Sequence, residues 1–381
     1  MLCALRWQGL AAAIVIIWLN SSTSIAAESN LPDPLGETRV VGAKLVKVLV
    51  GKDPDYPYGA DYEITKVYCG SNIPIGATFR VSIEVGAGAG DSNAMHEAPE
   101  TGETGIWTVR RDRNTDDLVS GTHLDDELPF AARRGVTVDF ARREHIADGI
   151  HQVWIAAPDG RLRLLDQMVH GSDGGMAAVA AHLFARVKPA GWKDTLRQWM
   201  GDPKIRVEGQ VALDGEMTKA FQEGWYWSKE RLAAFARWPR SAVDDYDVNR
   251  ATMRVLQDSD SIIRRNDTPA EVRERWGAGY QDFFADARNS KAFRKNENAL
   301  FMLARDFPRL IPDREATFLL LTRILVEDDN KRLSIGCIQG INHEFSPLTE
   351  DEAKTLRKLR PKILAKEVLM YIDTYMKDGQ K

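Results

Sequence analysis

The chain has 381 residues, 44% hydrophobic and 28% charged, an ordinary globular balance that excludes a disordered chain, a collagen and a polytopic membrane protein. Lysine plus arginine (51) nearly offsets aspartate plus glutamate (55), so a net charge of −4 gives no global basic field, and nucleic acid is not expected as a partner. Three cysteines exclude a disulfide-dense scaffold.

The first element in chain order is an export signal. Arg6 supplies the positive start and Leu10–Leu19 a ten-residue apolar run. Polar residues then lead to Ile25-Ala26-Ala27, the small residues at which a signal peptidase cuts. Ten apolar residues fall short of the roughly 20 needed to span a bilayer core. The expectation is a cleaved signal peptide over 1–27 and a linker over 28–36. The mature protein is then periplasmic or extracellular, with no transmembrane anchor. Cys3 precedes the apolar run and cannot be the acylated cysteine of a lipoprotein. After cleavage Cys69 and Cys337 remain, either paired across the two halves in an oxidising compartment or held as two buried thiols.

From residue 37 the pattern has period two. Val40–Val50, Tyr62–Tyr68, Thr78–Val85 and Ile106–Arg110 alternate apolar and polar residues and are rich in β-branched types. Turn residues separate them at Gly51–Asp55, Gly70–Pro74 and along the Gly86–Gly105 connection. Strands without intervening helices predict an antiparallel sheet closed as a small barrel, in a β-rich domain over 37–172. Their order resembles, in outline, the OB-like barrels, netrin-type modules among them. Late in this domain His151–Ile155 and Leu162–Leu165 flank Ala157-Pro158-Asp159-Gly160, which predicts a hairpin extending the barrel or covering its mouth.

Beyond Gly175 the period becomes that of helices, so 173–381 is expected to be all-α and the fold class α+β. Met176–Val187 reads as an alanine-rich helix ending near Pro189. Thr268-Pro269-Ala270-Glu271 reads as a capped helix start, and Thr349 with Glu352 as a capping box. Arg206, Arg250 and Arg294 recur at intervals of 44, with Arg332 38 further on, each near the head of a helix-like run. Acidic residues precede most of them: Asp202, Asp245 with Asp247, and Asp328 with Asp329. This pattern resembles the HEAT family of α-solenoids, with Glu297, Gly336 and Gly340 departing from it. The resemblance implies a curved binding surface rather than a catalytic pocket.

Little in the chain carries recognisable chemistry. Gly86-Ala-Gly-Ala-Gly90 follows a strand, but Asp91 stands where a dinucleotide loop needs a third glycine, and no P-loop occurs. No cofactor is expected. The seven histidines are scattered, and Asp245-x-Asp247-x-Asn249 fails as a calcium loop because Arg250 and Leu256 replace the required Gly and Glu. No metal site is expected. His170-Gly-Ser-Asp-Gly-Gly175 is the most enzyme-like stretch. Ser172 or Asp173 there either caps a helix or, with His170 and His182, builds a hydrolytic site. Phe221, Trp225, Tyr226, Trp227, Phe235 and Trp238 crowd together, either as helical core or as a sugar-stacking surface. Lys354, Arg357, Lys358, Arg360, Lys362 and Lys366 form a basic run, either a solvated face or a site for an anionic polymer or membrane surface. Leu364, Val368, Tyr371 and Tyr375 trace the buried side of a helix there, with Lys362, Lys366 and Lys377 opposite.

Three functions compete. The first is an exported, non-enzymatic binding or scaffold protein with a protein or polysaccharide partner. The second is a hydrolase built on His170, Ser172, Asp173 and His182; the third is a carbohydrate-binding protein using Trp225, Trp227 and Trp238.

Overall fold

A computed structural model describes residues 39–50, 58–70, 72–83, 101–111, 118–120, 132–133, 140–226, 228–264, 268–311 and 313–378. The expected signal peptide and linker, the Gly86–Gly90 loop and Trp227 lie outside the described residues. The chain divides into two compact units: Met1–Asp166 with Arg186–Pro189, and Gln167–Ala185 with Ala190–Lys381.

The first unit holds strands β1 (Arg39–Val50), β2 (Tyr58–Cys69), β3 (Thr78–Ile83), β4 (Thr104–Arg111), β5 (Leu118–Ser120) and β6 (Ala132–Arg133). β1 pairs antiparallel with β2 and β4, and β2 with β3. The alternation in sequence becomes two faces: Val41, Ala43 and Leu45 point into a core with Tyr62, Ile64, Phe79, Val81, Trp107 and Val109. The rings of Tyr62, Phe79 and Trp107 lie 4.8–6.1 Å apart and fill its centre. A fully closed barrel is not formed. β5 has only three residues, and its parallel contact with β3 is a single pair, Arg80 with Val119.

The expected hairpin is instead helical. Helix α1 spans Phe140–Ile155 and buries Ile146, Ala147, Ile150 and Val153, a helical face that covers β2 and β4. Lys66 pairs with Asp148 at 3.0 Å, and His151 Nδ1 lies 2.8 Å from the Tyr68 carbonyl, which fastens the helix to β2. Pro158-Asp159-Gly160 opens α2 (Pro158–Val169) rather than a turn between strands. Proline suits a first helical position, where its missing N–H costs nothing. Arg161 donates to the carbonyls of Val153, Trp154 and Ala156 and so closes the end of α1. Helix therefore begins well before the change of period expected at 170–175.

Among its described residues the second unit has no strand, and it begins with the end of α2. It contains α3 (Gly174–Val187), α4 (Trp192–Gly201), α5 (Val207–Phe221), α6 (Glu223–Tyr226), α7 (Lys229–Ser241), α8 (Asp245–Arg264) and α9 (Ala270–Asn289). There follow α10 (Lys291–Lys295), α11 (Glu297–Leu310), α12 (Arg314–Glu327), α13 (Lys331–Phe345), α14 (Glu350–Leu359) and α15 (Leu369–Asp378). Helices α5, α8, α11 and α13 stack in sequence as one row, while α4, α7 and α9 form a second row against it. Gly336 and Gly340 explain themselves here. A Cβ at Gly336 would lie 2.5 Å from the Phe301 carbonyl oxygen, and one at Gly340 2.9 Å from that of Arg305, so α13 approaches α11 at backbone range.

Two helix starts divide. Thr349 and Glu352 form the capping box. Thr268 does not cap: α9 begins at Ala270 with Pro269 in the cap position, one residue later than expected, and the buried Thr268 hydroxyl donates to the Ile262 carbonyl. The C-terminal segment also departs from expectation, since short 3₁₀ turns at Arg360–Lys362 and Lys366–Val368 interrupt it. Ile363, Ala365, Val368 and Ile372 are buried, and Leu364 is exposed. No described helix is long and apolar enough to cross a membrane.

Candidate functional site

The enzyme-like stretch lies in the second unit, between α2 and α3, and its four candidates engage different partners. His170 Nε2 is 3.4 Å from Asp202 Oδ2, and its ring meets the edge of Trp199. Ser172 is exposed, and its carbonyl oxygen, not its hydroxyl, is held by Arg206 at 2.7 Å. Asp173 Oδ1 accepts from the Met176 N–H at 3.0 Å, the geometry of an N-cap on α3. His182 is buried one helix face away, its Nδ1 2.9 Å from Glu216 Oε1. Burial works against ionisation of Glu216. The hydrogen bond and charge of His182, with Lys219 at 3.2 Å, outweigh it and hold that carboxyl below its ordinary value. These contacts orient a loop and a helix; they do not converge on a point where a nucleophile, a base and an oxyanion donor meet.

Arg206 is the hub of the stretch. Set just before α5, it donates to Asp247 through Nε (3.1 Å) and Nη2 (2.9 Å), and to Asp244 through Nη2 (2.6 Å). Asp247 also accepts from the Glu208 and Val243 N–H groups. The head of α5 is thereby tied to the head of α8, the next helix in the row. The same thing recurs further on: Arg294 grips Asp328 with both terminal nitrogens ahead of α13. Between them the tie is an amide pair, Asn296 Nδ2 to Asn249 Oδ1 at 2.9 Å. Arg250 is exposed on α8 and takes no part in that tie, so the spacing of 44 marks the joints at Arg206 and Arg294 only.

Sequence spacing gave no hint of the most heavily charged buried cluster. Arg231 of α7 is fully enclosed and donates to Asp214 through Nε (2.7 Å) and Nη2 (2.8 Å), and through Nη2 to Asp258 as well. Arg254 closes the group from α8, with Nε 2.7 Å from Asp214 Oδ2 and 3.4 Å from Asp258 Oδ2. The Arg231 guanidinium lies over the rings of Phe235 and Trp276. Burial opposes ionisation of Asp214, but Arg231, Arg254 and the Trp225 indole prevail and hold its carboxyl below the usual range. Asp258 ends on the other side. Burial raises its carboxyl, Arg231 and Arg254 pull against that, and the neighbouring Asp214 charge adds to it.

The aromatic candidates are spent on this interior. Trp225 is buried with Nε1 2.8 Å from Asp214, and Trp238 is buried with Nε1 2.9 Å from Gln210. Neither offers a face to a sugar, which corrects the stacking surface expected from Trp225 and Trp238. Among the described residues no group of three or more His, Cys, Asp or Glu side chains is placed to hold a metal ion. Cys69 is buried at the end of β2; Cys337 is buried in α13, where burial pushes its thiol up to about 12. No protein-family model matches the chain, and neither a curated protein nor a solved structure gives a significant match, so its role has to be read from its own residues.

Proposed function

We propose that the chain is an exported, non-enzymatic scaffold whose helical unit, built in the manner of HEAT arrays, offers its row of stacked helices to a protein partner. The observation that carries this is the series of joints at the helix heads, Arg206 with Asp247, Asn296 with Asn249, and Arg294 with Asp328. Each charged or amide pair ties the start of one helix of the row, or the short α10 just before it, to the start of another, the kind of nearest-neighbour contact on which a repeat array depends. An OB-like reading of the strand unit is supported by pairings that run β1-β2-β3-β5-β4 and return to β1, left partly open where β3 meets β5 through a single residue pair. Export rests on the Arg6, Leu10–Leu19 and Ala26-Ala27 succession.

Photo-crosslinking in the native host tests the scaffold reading. A crosslinker in place of Met253, 48% exposed on α8, should trap a discrete partner, whereas one in place of Leu319, 49% exposed on α12, should not. Mass spectrometry of the mature chain should find its start near Ala27 or Glu28. A hydrolase remains the second reading because His170 and Asp202 pair two residues from the exposed Ser172. A hydrolytic activity abolished by Ser172→Ala in a folded protein would replace the scaffold with that enzyme.

A further inference from the structure

The segment from Lys354 to Lys366 holds six basic residues and no acid. Lys354, Arg357, Lys358 and Lys362 are exposed, and none forms an ion pair among the described residues. Arg360 differs, being clamped by Asp373 through two bonds of 2.7 Å. Ile363 and Ala365 have extended backbone conformations and bury their side chains. Leu364, between these two inward residues, faces outward, while the Lys366 ammonium turns back to donate to the Ile363 carbonyl at 2.6 Å. The Leu364 N–H donates to the Leu325 carbonyl at 3.2 Å, which pins the segment to α12 and keeps Leu364 from turning inward. Leu364 is 49% exposed, and Met370, a few residues on, is 65% exposed.

We propose that this face docks the protein on an anionic lipid surface, with Lys354, Arg357, Lys358 and Lys362 at the headgroup phosphates and Leu364 entering the acyl boundary. The pairing of unneutralised cations with an outward leucine decides between partners. A soluble polyanion would engage the cations and leave Leu364 and Met370 in water. An anionic bilayer engages both, each cation contributing attraction at the surface and each apolar group leaving water. The attachment is peripheral, since no described helix can span a bilayer.

The test is co-sedimentation of the full chain with vesicles of phosphatidylcholine alone and of an equimolar mixture with phosphatidylglycerol, at low ionic strength. The readout is the preference for the anionic vesicles in each variant relative to the parent, since the leader with Arg6 and Leu10–Leu19 is common to all of them. The parent chain should prefer them, and added salt should reduce that preference. Arg357→Gln/Lys358→Gln/Lys362→Gln should weaken anionic binding roughly fivefold per charge, on the order of a hundredfold in all. Leu364→Ser should weaken it several-fold while leaving retention on heparin unchanged. Equal binding to both vesicles, or a triple variant that binds like the parent, overturns the proposal. So does a Leu364→Ser variant with undiminished vesicle binding, which would mark a polyanion surface instead.

Discussion

The two units keep their charges in opposite places. In the strand unit the core is hydrocarbon and aromatic, and ion pairs such as Arg80 with Asp61 and Lys66 with Asp148 sit in solvent. In the helical unit Arg231, Asp214 and Asp258 are walled in, with Arg254 at the edge. Geometry explains the contrast. A strand turns successive side chains to opposite faces, so charge is expelled to one face without effort. A helix surrounded by neighbours in two rows has no free side, and a charge there must find a countercharge or leave. The helical unit thus depends on polar matching to a degree that the sheet does not.

The sharpest way to break this contrast is to remove one buried cation. Arg231→Met should cost about 3–5 kcal/mol, because two enclosed carboxylates are left with Arg254 alone. Arg80→Met, on the exposed sheet pair, should leave the urea midpoint unmoved. Urea unfolding of both variants makes the comparison.

The two buried aspartates should then separate. Asp214→Asn should cost about 3 kcal/mol at neutral pH, and Asp258→Asn about half of that or less. Asp214 titrates below the ordinary aspartate value, near 4, so its stabilisation is complete above that value and drains as pH falls through the lower folded one. Asp258 is raised, so the native state takes its proton before the unfolded chain does. It therefore adds stability as pH falls from that raised value towards about 4. Asp258→Asn should remove this gain and Asp214→Asn should not, as urea midpoints measured across the acid range will show.

Packing at glycine should follow the same divide. Gly336→Ala places a Cβ against backbone of α11 and should cost about 1–3 kcal/mol. Gly42→Ala in β1 meets Lys66 and Tyr68 side-chain atoms at 3.4 Å and should stay within about 0.5 kcal/mol of the parent, both read as shifts in melting temperature.

The smallest effects lie at the turn before α3. Asp173→Ala removes the cap and should cost about 0.5–2 kcal/mol. Ser172→Ala should change stability by less than about 0.5 kcal/mol, since Arg206 holds the carbonyl of that residue rather than its hydroxyl.

Legibility in the sequence followed the same line between local and distant order. β1 and β2 could be read because period two persists along each of them, and Val41, Ala43, Leu45, Tyr62 and Ile64 are the core that alternation implies. Asp173 and the Thr349 box could be read because a cap acts within three residues. His151–Ile155 misled: five residues fit a strand, and only the wider set Ile146, Ala147, Ile150 and Val153 reveals a helix. The Arg206 and Arg294 joints left a trace in the spacing, whereas Arg250 shared it by accident of position. The Arg231 cluster left none, since its members are 17, 27 and 40 residues apart along the chain and meet only when three helices pack. The sole local sign was an arginine four residues before Phe235, in a run of aromatics destined for the interior.

The depth of Cys337 has a kinetic consequence. Burial pushes its thiol up to about 12, so almost none of it is thiolate at neutral pH, and closed packing denies reagents access to it. Alkylation of this sulfur therefore waits for α13 to part from the helices packed around it, so the labelling rate is a clock for that opening.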